Sequence, residues 1–304
     1  MKLTSKLQFK LSEKGEFHNI EERNLADTIA LINDYPWSTE RSNASVELTC
    51  PSITIAHPDG TYLKIGPYFS GKYSLYYLGS NRNVYLKTVT NLEEACEWVK
   101  VFFEHEGQLK GFEKYGFTIN PNKHFKTNPF VYQTNTRASS RLLYQLFFMI
   151  GAAIILSFLK YLDHPDQFKV STLFYVLLFC LVLCSPLFYL YFNYLDADRN
   201  IFLRISRGHD DFTFGTLDNE KTYRKQDVQS IISYGPNKRS LWGECEVFII
   251  TFKNGEQIKF TSLLILGSTL WGKFPDHRIY RQKLFFPTYQ SVRAEKTDKL
   301  DFYN

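Results

Sequence analysis

The sequence predicts an α+β domain, a two-helix transmembrane hairpin and a small all-β domain, in that order. Three observations predict it. Two long apolar runs, 142–159 and 170–195, flank a short polar break. Ahead of them the hydrophobic period switches from helical to two and back again. Behind them period-two stretches recur about every ten residues, and Lys253-Asn254-Gly255-Glu256 supplies the positive φ of a hairpin turn.

In the first domain, Leu3 to Leu11 alternates loosely, as a strand does. In the segment that follows Gly15, Leu25, Ile29 and Ile32 fall on one helical face. Pro36 ends that helix, because the residue before proline is pushed out of the helical region. From Ser45, SVELT, SITIA, TYLKIG, KYSLYYLG and NVYLKTV read as short strands divided by turn residues such as Pro58-Asp59-Gly60 and Ser80-Asn81-Arg82-Asn83. Connections this short join antiparallel neighbours. Alternation puts Tyr62 and Lys64 on one face and Leu63 and Ile65 on the other, and a one-sided sheet needs a cover. The next segment provides one. Asn91 is an N-cap, Glu93 and Glu94 suit the first turn, and Leu92, Cys96, Val99 and Phe103 share a face. Residues 1–116 therefore read as an antiparallel sheet with two helices. Residues 117–141 read as a linker, either an irregular tether or a segment lying on a membrane surface through Phe117, Phe125 and Phe130.

The first apolar run is free of charge for about 18 positions, roughly 27 Å of helix against a hydrocarbon core of ~30 Å. It extends to Leu162 with Lys160 snorkelling. The second run is uncharged from Val170 to Leu195, enough to cross with tilt. Between them lies Asp163-His164-Pro165-Asp166-Gln167, whose charges would cost about 2.5–3.5 kcal/mol each at mid-bilayer. The alternative, a buried hairpin of a soluble fold, is disfavoured because both runs are apolar all round. Gly151-Ala152-Ala153 is the close-approach point for the second helix, which Pro186 kinks. Cys180 and Cys184, one turn apart, mark a helix contact face or simply face lipid. A homo-oligomer through these helices is one expected assembly. Lys123, Lys126, Arg137 and Arg141 precede the hairpin and Arg199, Arg204 and Arg207 follow it, against Lys160 and Lys169 in the loop. That asymmetry places both termini in the cytoplasm. A signal peptide is excluded because the first apolar run begins near residue 142.

The net charge of +5 is mild and is accounted for by that topology and anionic lipid, so nucleic-acid binding is not invoked. The five cysteines include no CxxC pair and read as a reduced set. The sequence holds no P-loop, no HExxH, no GxSxG and no GxGxxG, and no catalytic, cofactor or metal residue is assigned. Four polar clusters stand out in the sequence. Trp37 with Glu40 and Arg41 reads as the edge of a core before it reads as a binding loop. Glu104-His105-Glu106 reads as a solvated helix end, His57 as a turn residue, and His209-Asp210-Asp211 as a strand connection.

The carboxy-terminal residues Arg199 to Arg204, Phe214-Gly215, Tyr223, Asp227-Val228, Ser230-Ile231 and the Phe252 to Phe260 hairpin follow a pattern. Together with the apolar hairpin, this stretch resembles the membrane-anchored, pleckstrin-homology-like (PH-like) proteins of bacteria. The resemblance covers the hairpin and about residues 199–288, and it implies a PH-like fold for residues 196–290, followed by a tail at 291–304. It also implies a multi-pass protein of the bacterial inner membrane. The family pattern ends in a long closing helix, whereas Leu263 to Lys273 is short and broken by Gly267 and Gly272.

The loop from Gly235 to Trp242 joins Lys238 and Arg239 to an apolar tip with Trp242. That combination suits a lipid headgroup or a protein contact, and equally a solvated turn with a half-buried tryptophan. The expected function is a non-enzymatic binding or regulatory protein with membrane lipid and a protein as partners. A defence-associated role is one specific form of it. The rival class is an enzyme whose site is assembled between the soluble domains.

Overall fold

The computed structural model describes residues 1–41, 51–105, 109–116, 127–134, 170–237, 240, 242–292 and 301–302, and between 144 and 162 residues 144, 147, 148, 150–152, 154–156, 158, 159, 161 and 162. The chain forms two compact units, Met1–Pro129 with Ser206–Gly208, and Phe130–Ile205 with His209–Asn304.

The first unit runs β1 (Leu3–Gln8), β2 (His18–Arg23), α1 (Leu25–Asp34), α2 (Trp37–Arg41), β3 (Ser52–Ala56), β4 (Tyr62–Pro67), β5 (Tyr73–Leu78), β6 (Val84–Val89), α3 (Leu92–Glu104) and β7 (Glu113–Lys114). Its seven strands pair in the order β2-β1-β3-β4-β5-β6-β7, antiparallel throughout. Ile53, Ile55, Leu63, Ile65 and Leu75 point to α1 and α3, whose Ile32, Val99 and Phe102 close over them. Each such side chain removed from water contributes about 1.5–3 kcal/mol. Asn91 caps α3 by accepting from the Glu94 N–H at 2.8 Å. The strand SVELT expected at 45–49 lies outside the described residues.

Two local expectations change. Residues 18–23, grouped by sequence with the following helix, form an edge strand on β1, and Asn24 starts the helix by accepting from Asp27 N. This strand is exposed at most positions, so no period-two signal marks it. The sheet face that carries Lys64 is also not solvated. Lys64 is 1% exposed, and its Nζ donates to Gln8 Oε1 at 3.0 Å, an oxygen that also accepts from Ser52 Oγ at 3.3 Å. Alternation distinguished polar from apolar faces correctly, but it did not distinguish buried from wet.

The second unit runs β8 (Val131–Gln133), α4 (Val170–Asp198), β9 (Phe202–Arg204), β10 (Asp211–Thr216), β11 (Asn219–Arg224), β12 (Val228–Gly235), β13 (Val247–Phe252), β14 (Gln257–Thr261), α5 (Gly267–Trp271), β15 (Ile279–Lys283) and β16 (Asp301–Phe302). One sheet is β11-β10-β9-β8 and the other β14-β13-β12-β15-β16, with β12 and β15 parallel. The larger sheet is buried on both faces. Ile231, Phe248, Ile250 and Phe252 face Leu203 and Phe212 of the smaller sheet. Their neighbours Ile232, Tyr234, Val247 and Ile249 pack against α4. Burial on both faces explains why Val247–Phe252 reads as an unbroken apolar run. The long closing helix of the family pattern is here the five-residue α5, whose Leu270 plugs the core.

Among the described residues, no helix is long and apolar enough to cross a membrane. This overturns the transmembrane hairpin, and with it the two-span topology and the multi-pass inner-membrane location. The physical reason lies in α4. Cys184, Leu187, Leu190, Tyr191 and Tyr194 belong to the core of the β-domain. The stretch from Val170 to Cys184 rises only roughly 21 Å, short of a ~30 Å hydrocarbon core. Cys184 is therefore a core residue and not a lipid-facing one. Pro186 sits inside the helix, and Ser185 Oγ donates to Val182 O at 2.8 Å, the carbonyl that a proline at 186 leaves without its backbone donor. The described residues between 144 and 162 are helical, and the polar break at 163–169 lies outside the described residues.

Candidate functional site

In the second unit the contact surface grows out of α4. Its residues divide into two stripes at helical spacing. Cys184, Leu187, Tyr191, Tyr194 and Asp198 face the sheet and are buried. Phe174, Leu178, Val182, Tyr189 and Phe192 recur along the opposite side and are exposed, Phe192 at 61%. From Phe174 to Phe192 this apolar stripe is roughly 27 Å long at ~1.5 Å per residue.

A strap from Leu284 to Val292 is stitched to the buried side of the helix. Tyr194 OH donates to Pro287 O at 2.6 Å, Asn193 Oδ1 accepts from Tyr289 N at 2.8 Å, and Asn193 Nδ2 donates to Gln290 Oε1 at 2.7 Å. Lys259 Nζ holds the far end through Val292 O at 2.7 Å. The strap brings Phe285 and Phe286 beside the exposed stripe. Phe286 stacks on Tyr189, centroids 5.8 Å apart, and Phe285 is 76% exposed.

Trp242 meets this group. Its indole N–H donates to Phe285 O at 2.8 Å, and its ring stands edge-on to Phe285 at 5.4 Å and to Phe286 at 6.3 Å. Of the residues the sequence singled out, Trp242 is half-buried and structural on one side, while Lys238 and Arg239 lie outside the described residues. Phe285, Phe286, Tyr189 and Phe192 were missed. The adjacent Phe285-Phe286-Pro287 just past a strand is the available signal, and Tyr189 and Phe192 fall inside the apolar run 170–195, which the sequence alone assigns to a membrane span.

The first unit holds a separate cleft of about 530 Å³ between the β5–β6 turn and the end of α3. Tyr77, Tyr85 and Trp98 give it aromatic walls, with Asn81, His105 and Lys110 among its polar lining. Tyr85 stacks on Tyr77 at 5.9 Å and its hydroxyl accepts from Asn81 Nδ2 at 2.6 Å. Trp98 is set by Phe112, edge-on at 5.2 Å, and by Lys87 Nζ at 4.7 Å from its ring centre. A Cβ at Gly79 would lie 3.1 Å from Asn81 Oδ1 and 3.4 Å from Tyr85, so a glycine keeps this turn close to the ring. The sequence marked Ser80 to Asn83 only as a turn, and nothing in it pointed to Trp98.

Trp37, Glu40, Arg41 and His57 are held by local contacts. Trp37 is 7% exposed, donates to Ile32 O at 2.8 Å and packs on Tyr35 and Tyr73. Glu40 accepts from Lys10 N at 2.5 Å, and Arg41 donates to Lys72 O at 3.2 Å. His57 pairs with Asp59 at 3.0 Å within its turn. His209, Asp210 and Asp211 are exposed where the chain enters β10.

Residues 130–273 match the family model of a PH domain, so the second unit carries a PH-like domain. No curated protein and no solved structure matches the chain.

Proposed function

We propose that this chain is a non-enzymatic binding or regulatory protein whose PH-like domain docks peripherally on anionic lipid through the exposed face of α4 and the Trp242 aromatic group. The observation that carries the reading is the apolar stripe from Phe174 to Phe192, continuous at Tyr189 with Phe286 and the exposed Phe285. Contiguous apolar surface of this extent marks an interaction site, and aromatic rings with a polar edge suit the headgroup region. Lys238 and Arg239 lie in the sequence between β12 and Trp242, and Lys283 is exposed two residues before Phe285. Cations near an anionic surface gain about 1 kcal/mol each, fading within a Debye length. This is a surface contact and needs no membrane span.

The test is co-sedimentation of the full chain with phosphatidylcholine vesicles, with and without phosphatidylglycerol. Binding should require the anionic lipid and weaken with salt. Phe192→Ser with Phe285→Ser should remove most of it, and Lys238→Glu with Arg239→Glu should reduce it and flatten the salt dependence. A chain that stays in the supernatant with both vesicle types would rule the reading out.

A further inference from the structure

We infer that the cleft of the first unit binds a small molecule that joins one planar ring to one anionic group. This inference is independent of the lipid-docking reading, which concerns the other unit. The volume of about 530 Å³ suits a ligand the size of a nucleoside monophosphate or smaller. The aromatic walls are held rigidly. Tyr85 is fixed from below by Tyr77 and at its hydroxyl by Asn81, and Trp98 is fixed by Phe112. Rings pre-set in this way lose little freedom when a ligand stacks on them.

The polar lining selects for charge. Lys110 contributes a cation, His105 and Asn81 contribute nitrogen donors, and no carboxylate lines the cleft among the described residues. A ring without an anion leaves the ammonium of Lys110 unused, and an anion without a ring leaves the aromatic walls uncovered. The geometry therefore points to a ligand with both parts. Phosphate monoesters of nucleosides and aromatic carboxylates share this chemistry, and the experiment separates them.

Isothermal titration calorimetry on the full chain would use adenosine 5′-monophosphate and indole-3-acetate, with adenosine, inorganic phosphate and acetate as controls. At least one of the two ring-anion probes should saturate one site per chain, about tenfold or more tighter than each of the controls. Saturation by the nucleotide alone assigns a phosphate ligand, and by indole-3-acetate alone a carboxylate ligand. Lys110→Glu should weaken the bound probe about tenfold without moving the unfolding midpoint, since Lys110 is exposed. Trp98→Phe should weaken it several-fold. The inference falls if neither probe binds, if adenosine binds as tightly as its monophosphate, or if Lys110→Glu leaves the affinity unchanged.

Discussion

Asp198 receives both hydrogen bonds that Thr261 can donate, from the backbone N–H at 3.2 Å and from Oγ1 at 2.5 Å, on the single oxygen Oδ2. The pair ties the last turn of α4 to the end of β14. Burial pushes the Asp198 carboxyl up from 3.8 to about 6, against the bonds from Thr261, which favour the ionised form.

That shift sets a direction for stability against pH. The folded state binds the Asp198 proton more tightly than the unfolded state does. The contribution of this group is therefore fully present below about 3.8 and is lost as pH rises through about 6. The span is worth roughly 3 kcal/mol as an order of magnitude. Tyr194 and Tyr289, both raised by burial, stay neutral across this window. Urea unfolding between pH 5 and 7.5 should show stability falling with pH, and Asp198→Asn should flatten that slope. An identical slope in the variant would remove Asp198 as its source.

The two stripes of α4 predict opposite mutational costs. Leu190 is fully buried against the sheet, and Leu190→Ala should cost about 2–5 kcal/mol. Phe179 is 63% exposed, and Phe179→Ala should change stability by less than about 0.5 kcal/mol. Equal costs measured by thermal unfolding would contradict the division of the helix into a core side and a free side.

Gly215 sits in β10 with φ of 150°, a backbone setting that disfavours side chains. A Cβ there would lie 2.2 Å from Asn219 O across the hairpin. Gly215→Ala should destabilise the protein by about 2 kcal/mol or more, because both the torsion and the strand pairing must give. A neutral result in denaturant titration would mean that the β10–β11 turn relaxes freely.

In the first unit, Asn91→Ala removes the acceptor for Glu94 N and should cost about 1 kcal/mol, whereas Asn91→Asp should keep the cap. Parallel urea titrations of the two variants distinguish loss of the cap from loss of side-chain bulk.

What could be read from sequence followed the locality of the signal. The Asn91 cap and the Asn254-Gly255 turn depend on residues a few positions apart, and both occur where expected. The PH-like pattern was legible because its glycine and its hairpin are local constraints too. The role of α4 was not legible. A helix that packs a sheet on one side and bares aromatics on the other has the same composition as one that lies in lipid, and Tyr194 and Leu178 carry no mark of which side they occupy. The cleft was hidden for a related reason. Tyr77, Trp98 and Lys110 converge only through sheet register and helix packing, and no spacing rule records that.

The connection from β9 to β10 carries a consequence for how the protein is made. Ser206–Gly208 belong to the first unit, where Arg207 Nε donates to Leu11 O at 2.7 Å and Gly208 N donates to Glu16 Oε1 at 2.8 Å. A ribosome that has finished residue 129 has therefore not yet supplied every part of the unit it began. The first unit can collapse early, but it closes only after residue 208 has emerged, when the second unit is still missing β10 to β16. Completion of the amino-terminal half is thus timed by synthesis of the other half, and a stall between residues 130 and 205 would withhold the donors that Arg207 brings to Leu11 O and Gly208 brings to Glu16 Oε1.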